Sequence, residues 1–198
     1  MQHQFNITEF NEIIQTRRSV YPYQFEKGKV IPEEIIWQIL ENANRAPTHK
    51  LTEPWRFTVF TGAGLPFFAN LQTEIYTNYA GEKFKEKNLK KLLDYPLMSS
   101  HVIAIGMKRS TSVNIPEAEE LMATACAIEN IYLSINAYGL GGYLSTGGIT
   151  NIDKAKPFFD LEPQDTLLGF FYLGYPAIFG IPLSKRGSIK EKVKWVDK

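Results

Sequence analysis

Apolar residues recur along the chain in two rhythms, one helical and one extended. Near the amino terminus, Phe10, Ile13 and Ile14 fall on one face of a helix that Thr8 can cap, and this helix runs straight into "RRS", Arg17 to Ser19. In "PEEIIWQILENANR", Pro32, Glu33 and Glu34 make a first helical turn. Ile35, Ile36, Ile39, Leu40 and Ala43 form its apolar stripe, and Pro47 forbids continuation. "RFTVF" then reads as a strand. Pro66 opens another helix toward Gly81, and "EKFKEKNLKKLLDY" continues in helical style, its mixed Lys and Glu forming a solvated face. "HVIAIGM" has the branched, apolar character of a buried strand. From Pro116 to about Tyr138 apolar residues occupy most of the circumference of a long helix, which predicts burial on several sides, with Ala123, Ala125 and Ala127 permitting close approach. "GGYLSTGG", a short helix near "NIDKAKPFF" and the strand "TLLGFFYLGYP" follow. This order predicts a three-layer α+β domain with a mixed sheet.

Composition narrows the classes. The chain has 198 residues and no polar spacer, so a single domain over residues 1–198 is expected. Hydrophobic residues at 44% and charged residues at 22% argue against disorder and against membrane spans. Lys and Arg number 22 against 21 Asp and Glu, which leaves no broad footprint for nucleic acid, so any anion site is local. Cys126, the single cysteine, forms no intrachain disulfide. It sits in the apolar run "LMATACAIENIYLSI" as a small buried hydrophobe rather than a catalytic thiol. "MQHQFNITEF" lacks a basic start followed by an apolar run, so a cytoplasmic location is expected.

Three clusters carry candidate chemistry, and each has an ordinary alternative. In "RRS", Arg17 and Arg18 are either favourable cations at a helix end, or one guanidinium makes paired hydrogen bonds to a phosphate, with the Ser19 hydroxyl as a further donor. In "RAPTHKLTEPWRF", Arg45 and His49 either close a helix and decorate a loop, or donate to oxygens of a planar ligand, while Trp55 packs. In "GGYLSTGG", the glycines either make turns or let the backbone lie close to a flat ring whose edge Ser145 and Thr146 bind.

The order of these clusters resembles the nitroreductase family of FMN-dependent oxidoreductases, and in particular a compact subgroup. The matching segments are Arg17 to Ser19, Arg45 to Lys50 with Pro54 to Phe57, Gly139 to Gly142, and Gly169 to Pro176, which together span nearly the whole chain. The resemblance implies a nitroreductase-like fold, a mixed and mainly antiparallel sheet flanked by helices, and a homodimer with two FMN sites at the subunit interface. It assigns Arg17, Arg18 and Ser19 to the segment that grips FMN, Arg45 and His49 to the flavin's surroundings, and Leu144, Ser145 and Thr146 to a later flavin-binding segment. "SKRGSIKEKVKW" resembles a basic phosphate-binding tail, which gives Arg186 a phosphate role. Many members carry Asn and Gln where this chain has Leu51 and Glu53, so an amide contact to the flavin pyrimidine is missing.

The activity implied is a ping-pong cycle. NADH or NADPH passes hydride to FMN and leaves, and a nitroaromatic, quinone or similar electron-poor small molecule then accepts the electrons; no side-chain nucleophile is needed. Each site is expected to draw Arg17 from one chain and Arg45 from the other. Two alternatives belong to other classes: a flavin-binding or regulatory protein without turnover, and a related flavoenzyme such as a dehalogenase, for which the chain has no extended lid sequence. Nucleic acid and membrane are not expected partners.

Overall fold

The structure, a computed structural model, describes residues 5–111, 114–177 and 185–197. Helix α1 (Ile7–Thr16) starts at Asn6, whose side-chain oxygen accepts from the amides of Thr8 and Glu9. The cap thus lies two residues before the expected Thr8, because Asn6 satisfies two of the orphan amides of the first turn. Helix α2 (Glu33–Ala43) follows Pro32 and buries Ile36, Ile39 and Ala43, the centre of the anticipated stripe. Strand β1 (Trp55–Thr61) leads into α3 (Gly64–Tyr79), which begins ahead of Pro66 because a missing amide is tolerated in a first turn. Helix α4 (Glu86–Leu97), strand β2 (His101–Met107), helix α5 (Glu117–Ala137) and strands β3 (Gly141–Ser145) and β4 (Thr166–Gly174) complete the main elements.

The strands lie in the order β1-β2-β4-β3, and each of the three pairings is antiparallel. The sheet expected to be mixed is therefore wholly antiparallel among the described strands. Alternation along the two central strands divides the core. Ile103, Ile105, Phe171 and Leu173 pack with α2 and α5, whereas Val102, Ala104, Phe170 and Tyr172 pack with α3 and α4. Every residue of β2 is buried, which explains why "HVIAIGM" reads as a continuous apolar run although its partners are antiparallel.

Helix α5 departs from the expectation of burial on most sides. Ala123, Ala127, Ile131 and Ile135 face the core, but Leu121, Met122, Ala125 and Cys126 are exposed. Cys126 is thus a surface thiol in the protomer, because the helix covers the sheet with one face only. Helix α1 buries none of its residues, and Phe10 and Ile14 remain exposed.

Two buried polar groups tie the layers together. Ser100 Oγ accepts from the Ile31 amide at 2.7 Å and lies 2.8 Å from His101 Nδ1, at the start of β2. Burial lowers the His101 pKa below 6.5, outweighing the opposing effect of Glu33. At the other end of the fold the Glu120 carboxylate, 2% exposed, pairs with the Arg109 guanidinium and accepts from the Ser110 amide at 2.9 Å. Arg109 also donates to Ile115 O at 2.9 Å, so the connection between β2 and α5 closes on this pair.

Two stability measurements check these assignments. The folded state binds fewer protons than the unfolded chain at His101, so its contribution is full above pH 6.5 and is lost as pH falls through the depressed folded pKa. Denaturant melts of His101→Gln should lose this part of the acid sensitivity; an identical pH profile in both proteins would contradict it. Glu120→Ala should destabilise by about 3–5 kcal/mol, since it leaves a partly buried guanidinium unpaired. A change under about 1 kcal/mol would show that the pair does not hold the connection.

Candidate functional site

The amino-terminal segment lies along the free edge of β3. The Val20 amide donates to Gly142 O at 2.9 Å, Phe25 bridges to Pro176, and the Tyr21 ring lies against Tyr143, tilted by 36° at 4.5 Å between centres. Gly142 has no alternative here, because a Cβ would strike Phe171 and Ile135. "RRS" and "GGYLSTGG", far apart in sequence, are therefore neighbours. The Arg17 guanidinium sits 4.9 Å from the centre of the Tyr132 ring and 3.6 Å from Glu129, both on α5. The Tyr132 hydroxyl accepts from the Leu144 amide at 3.2 Å, which links Arg17, α5 and β3 in one chain of contacts. Arg18 is half-buried and Ser19 exposed.

On the α3/α4 side of β3 a cleft of about 260 Å³ opens between α4 and the segment that follows Tyr143. Leu144, Ser145 and Thr146 line it, together with Gly147 and Gly148, and Asn88, Lys91 and Tyr95 face it from α4. Gly148 has φ +70°, and a Cβ there would meet Leu92 at 2.7 Å, so this turn requires glycine. A Cβ at Gly147 would meet no protein atom within 4 Å, which leaves open space above that residue. Burial raises the pKa values of Tyr95 and Tyr143 above 10, reinforced by neighbouring phenols, so both present neutral hydroxyls at pH 7. The cation lining the cleft is Lys91; the Arg17 guanidinium lies against α5 instead.

The stretch from Arg45 to Phe57 builds a different feature. Arg45 is exposed beyond the end of α2. His49 to Leu51 form a single 3₁₀ turn, and Lys50, Leu51 and Glu53 have φ of 50°, 54° and 45°. Three non-glycine residues in the left-handed region mark a strained loop, at about 1–2 kcal/mol each. Its braces are the residue types that made the sequence conspicuous. Thr48 Oγ1 accepts from the Glu53 amide at 3.2 Å, Arg56 donates to Glu53 O at 2.8 Å, and His49 Nδ1 pairs with the Glu119 carboxylate at the start of α5. Trp55 is buried, as its packing role requires, and its indole N–H donates to Asn44 at 2.9 Å. Leu51 stands at the tip, 79% exposed.

One protomer does not bring these features together. Glu119, which holds His49, and Tyr132, which holds Arg17, are thirteen residues apart on α5, about 20 Å along its axis. Arg186 lies in the exposed segment 185–197 and makes no hydrogen bond or ion pair among the described residues. Lys91, Tyr95 and Glu119 were not singled out by the sequence. The spacing of Asn88, Lys91 and Tyr95 places them on one helical face, but only the fold reveals that this face borders a cleft. Among the described residues no group of three His, Cys, Asp or Glu side chains can hold a metal, and no helix is long and apolar enough to cross a membrane.

Comparison with known proteins gives this geometry its context. The sequence profile of the nitroreductase family matches residues 14–175. YdjA of Escherichia coli K12, which carries the name NAD(P)H nitroreductase, is 30% identical over 145 residues, 73% of this chain and 78% of its own. A nitroreductase-like family protein from Bacillus cereus superposes over the full length of both chains with a TM-score of 0.80 at 24% identity. The FMN-dependent nitroreductase NfnB of Mycobacterium smegmatis, solved with NADPH, superposes over 97% of this chain and 100% of its own with a TM-score of 0.73 at 18% identity. With a family profile spanning both the arginine-bearing edge and the cleft beside β3, the chain belongs to the nitroreductase family.

Proposed function

We propose that this protein is an FMN-dependent NAD(P)H oxidoreductase, acting as a homodimer on flat, electron-poor acceptors such as nitroaromatics and quinones. The observation that carries the reading is the cleft formed by Leu144, Ser145 and Thr146 beside the arginine-bearing edge, in a chain of this family. The dependence of NfnB on FMN and its complex with NADPH support the choice of cofactor and donor.

The residues present fit the cofactor. The space above Gly147 admits a ring against backbone, and the Ser145 and Thr146 hydroxyls supply polar contacts. At about 260 Å³ the cleft is smaller than the usual 300–1,000 Å³ of ligand pockets, so it suits part of FMN. Arg17, Arg18 and Ser19 at the adjoining edge would hold the phosphate through charge-assisted hydrogen bonds. When bound, FMN supplies a ring that accepts hydride from NAD(P)H and gives it to the acceptor. Lys91 would offset negative charge on the ring, and the neutral phenols would offer hydrogen bonds without adding charge. Walls formed by α4 and β3 limit the access of water.

A second copy explains the rest. The outward stripe of α5 (Leu121, Met122, Ala125, Cys126) and the exposed Phe10 and Ile14 of α1 leave apolar side chains in water on two neighbouring helices, and Trp195 in the carboxy-terminal segment is 83% exposed. The midpoint between Glu119 and Tyr132 falls at Ala125 and Cys126. A two-fold axis through that point would pack the two α5 helices antiparallel and bring the His49 loop of one copy to the Arg17 edge of the other.

Three outcomes test this reading. Bound flavin should bleach with NAD(P)H and recover its colour with a quinone; tight FMN that does not bleach would favour a binding protein without turnover. Arg17→Ala should weaken FMN by about 1.5–3 kcal/mol, read by titration, and unchanged affinity in a folded variant would remove the phosphate assignment. Co-expression of two singly inactive chains, Arg17→Ala and Arg45→Ala, should restore activity, because one site of each mixed dimer keeps both arginines. Verified mixed dimers without FMN or NAD(P)H oxidation would rule out the shared site.

A further inference from the structure

Helix α4 turns Asn88, Lys91 and Tyr95 toward the cleft, and Tyr95 packs there against two aromatic rings. Its ring meets those of Tyr143 and Tyr172 edge-on, at 6.1 and 5.8 Å between centres and 84° between planes in both cases. Two aromatic neighbours therefore hold it in one orientation. Its hydroxyl is uncommitted: among the described residues it makes no hydrogen bond. Tyr76 and Tyr132 spend theirs internally. The Tyr76 hydroxyl donates to Lys83 O at 3.0 Å and accepts from the Lys85 amide at 3.0 Å, and the Tyr132 hydroxyl serves Leu144. A half-buried phenol that lines a polar cleft and has no protein partner leaves its hydroxyl available to a ligand there.

We propose that Tyr95 is a specificity-determining residue of the flavin site, its hydroxyl donating to the acceptor-rich pyrimidine edge of the ring. The inference rests on the flavin reading of the cleft. Burial keeps the phenol protonated, so at neutral pH it offers a donor and never a negative charge to the ring. The hydrogen bond strengthens when electron density on that edge rises, so Tyr95 favours the reduced flavin over the oxidised form.

The test uses full-length protein stripped of flavin and titrated with FMN, followed by dye-equilibrated reduction to read the potential of the bound flavin. Tyr95→Phe keeps the ring packing and removes only the hydroxyl. It should bind oxidised FMN about five- to tenfold more weakly and shift the potential to more negative values, with an unchanged melting temperature. A purely structural role would move neither affinity nor potential in the phenylalanine variant. Gly147→Leu, which fills the open space in the cleft, separates the two levels of the argument. If Gly147→Leu abolishes FMN uptake while Tyr95→Phe matches the wild type, the flavin occupies the cleft and the Tyr95 assignment is overturned. If folded Gly147→Leu binds FMN like the wild type, the flavin lies elsewhere, and both the cleft reading and the Tyr95 assignment fall.

Discussion

Helix α5 has two apolar faces, and among the described residues the protomer covers only one. Ala123, Ala127, Ile131 and Ile135 pack on the sheet with α2, while Leu121, Met122, Ala125 and Cys126 meet solvent. Full burial of a side chain of Leu or Met size is worth roughly 1.5–3 kcal/mol, so several such residues on one stripe are a strong incentive for association. The same helix also carries both halves of the candidate chemistry: Glu119 holds the His49 loop at its start, and Tyr132 holds Arg17 near its end. Association on this stripe and assembly of a complete site are thus one event in the proposed account.

The rest of the structure can be seen as keeping the ends of that helix in register. The pair of the half-buried Arg109 with the buried Glu120 fixes the first turn, one residue from the carboxylate that meets His49. At the other end, Asn136 donates to Ile13 O and Thr16 at 2.8 Å each, tying α1 and its terminal arginines to α5. Three left-handed residues in the loop at 50–53 cost several kcal/mol together. An exposed ion pair such as His49–Glu119 contributes at most about 1 kcal/mol, so the loop is held by its combined hydrogen bonds and by Trp55, not by that pair alone.

Much of this was legible in the sequence because periodicity reports burial. The α2 stripe, the β2 run and the end of α2 before Pro47 lie where the pattern predicts, since those residues answer to local rules and to a core that covers both faces of the sheet. The outward face of α5 misled for a physical reason: in sequence, apolar residues on an exposed stripe look the same as residues buried within one chain. The left-handed turn at Lys50 and Leu51 was hidden because it uses neither glycine nor asparagine, the usual residues for positive φ. Of the site, the arginine edge and the segment at 144–146 could be read from motifs. The placement of Lys91 and Tyr95 at the cleft could not, since their helix reads as a solvated charged run until the fold sets it beside β3.

The central claim is that a flavin site is complete only in a pair of chains. Sedimentation equilibrium of FMN-loaded protein, followed at the flavin absorbance and at the protein absorbance across a dilution series, tests it directly. The account predicts that bound flavin sediments with the mass of a dimer, at two flavins per pair of chains, and is released as dilution produces monomer. Flavin that stays bound to a species of monomer mass would contradict it.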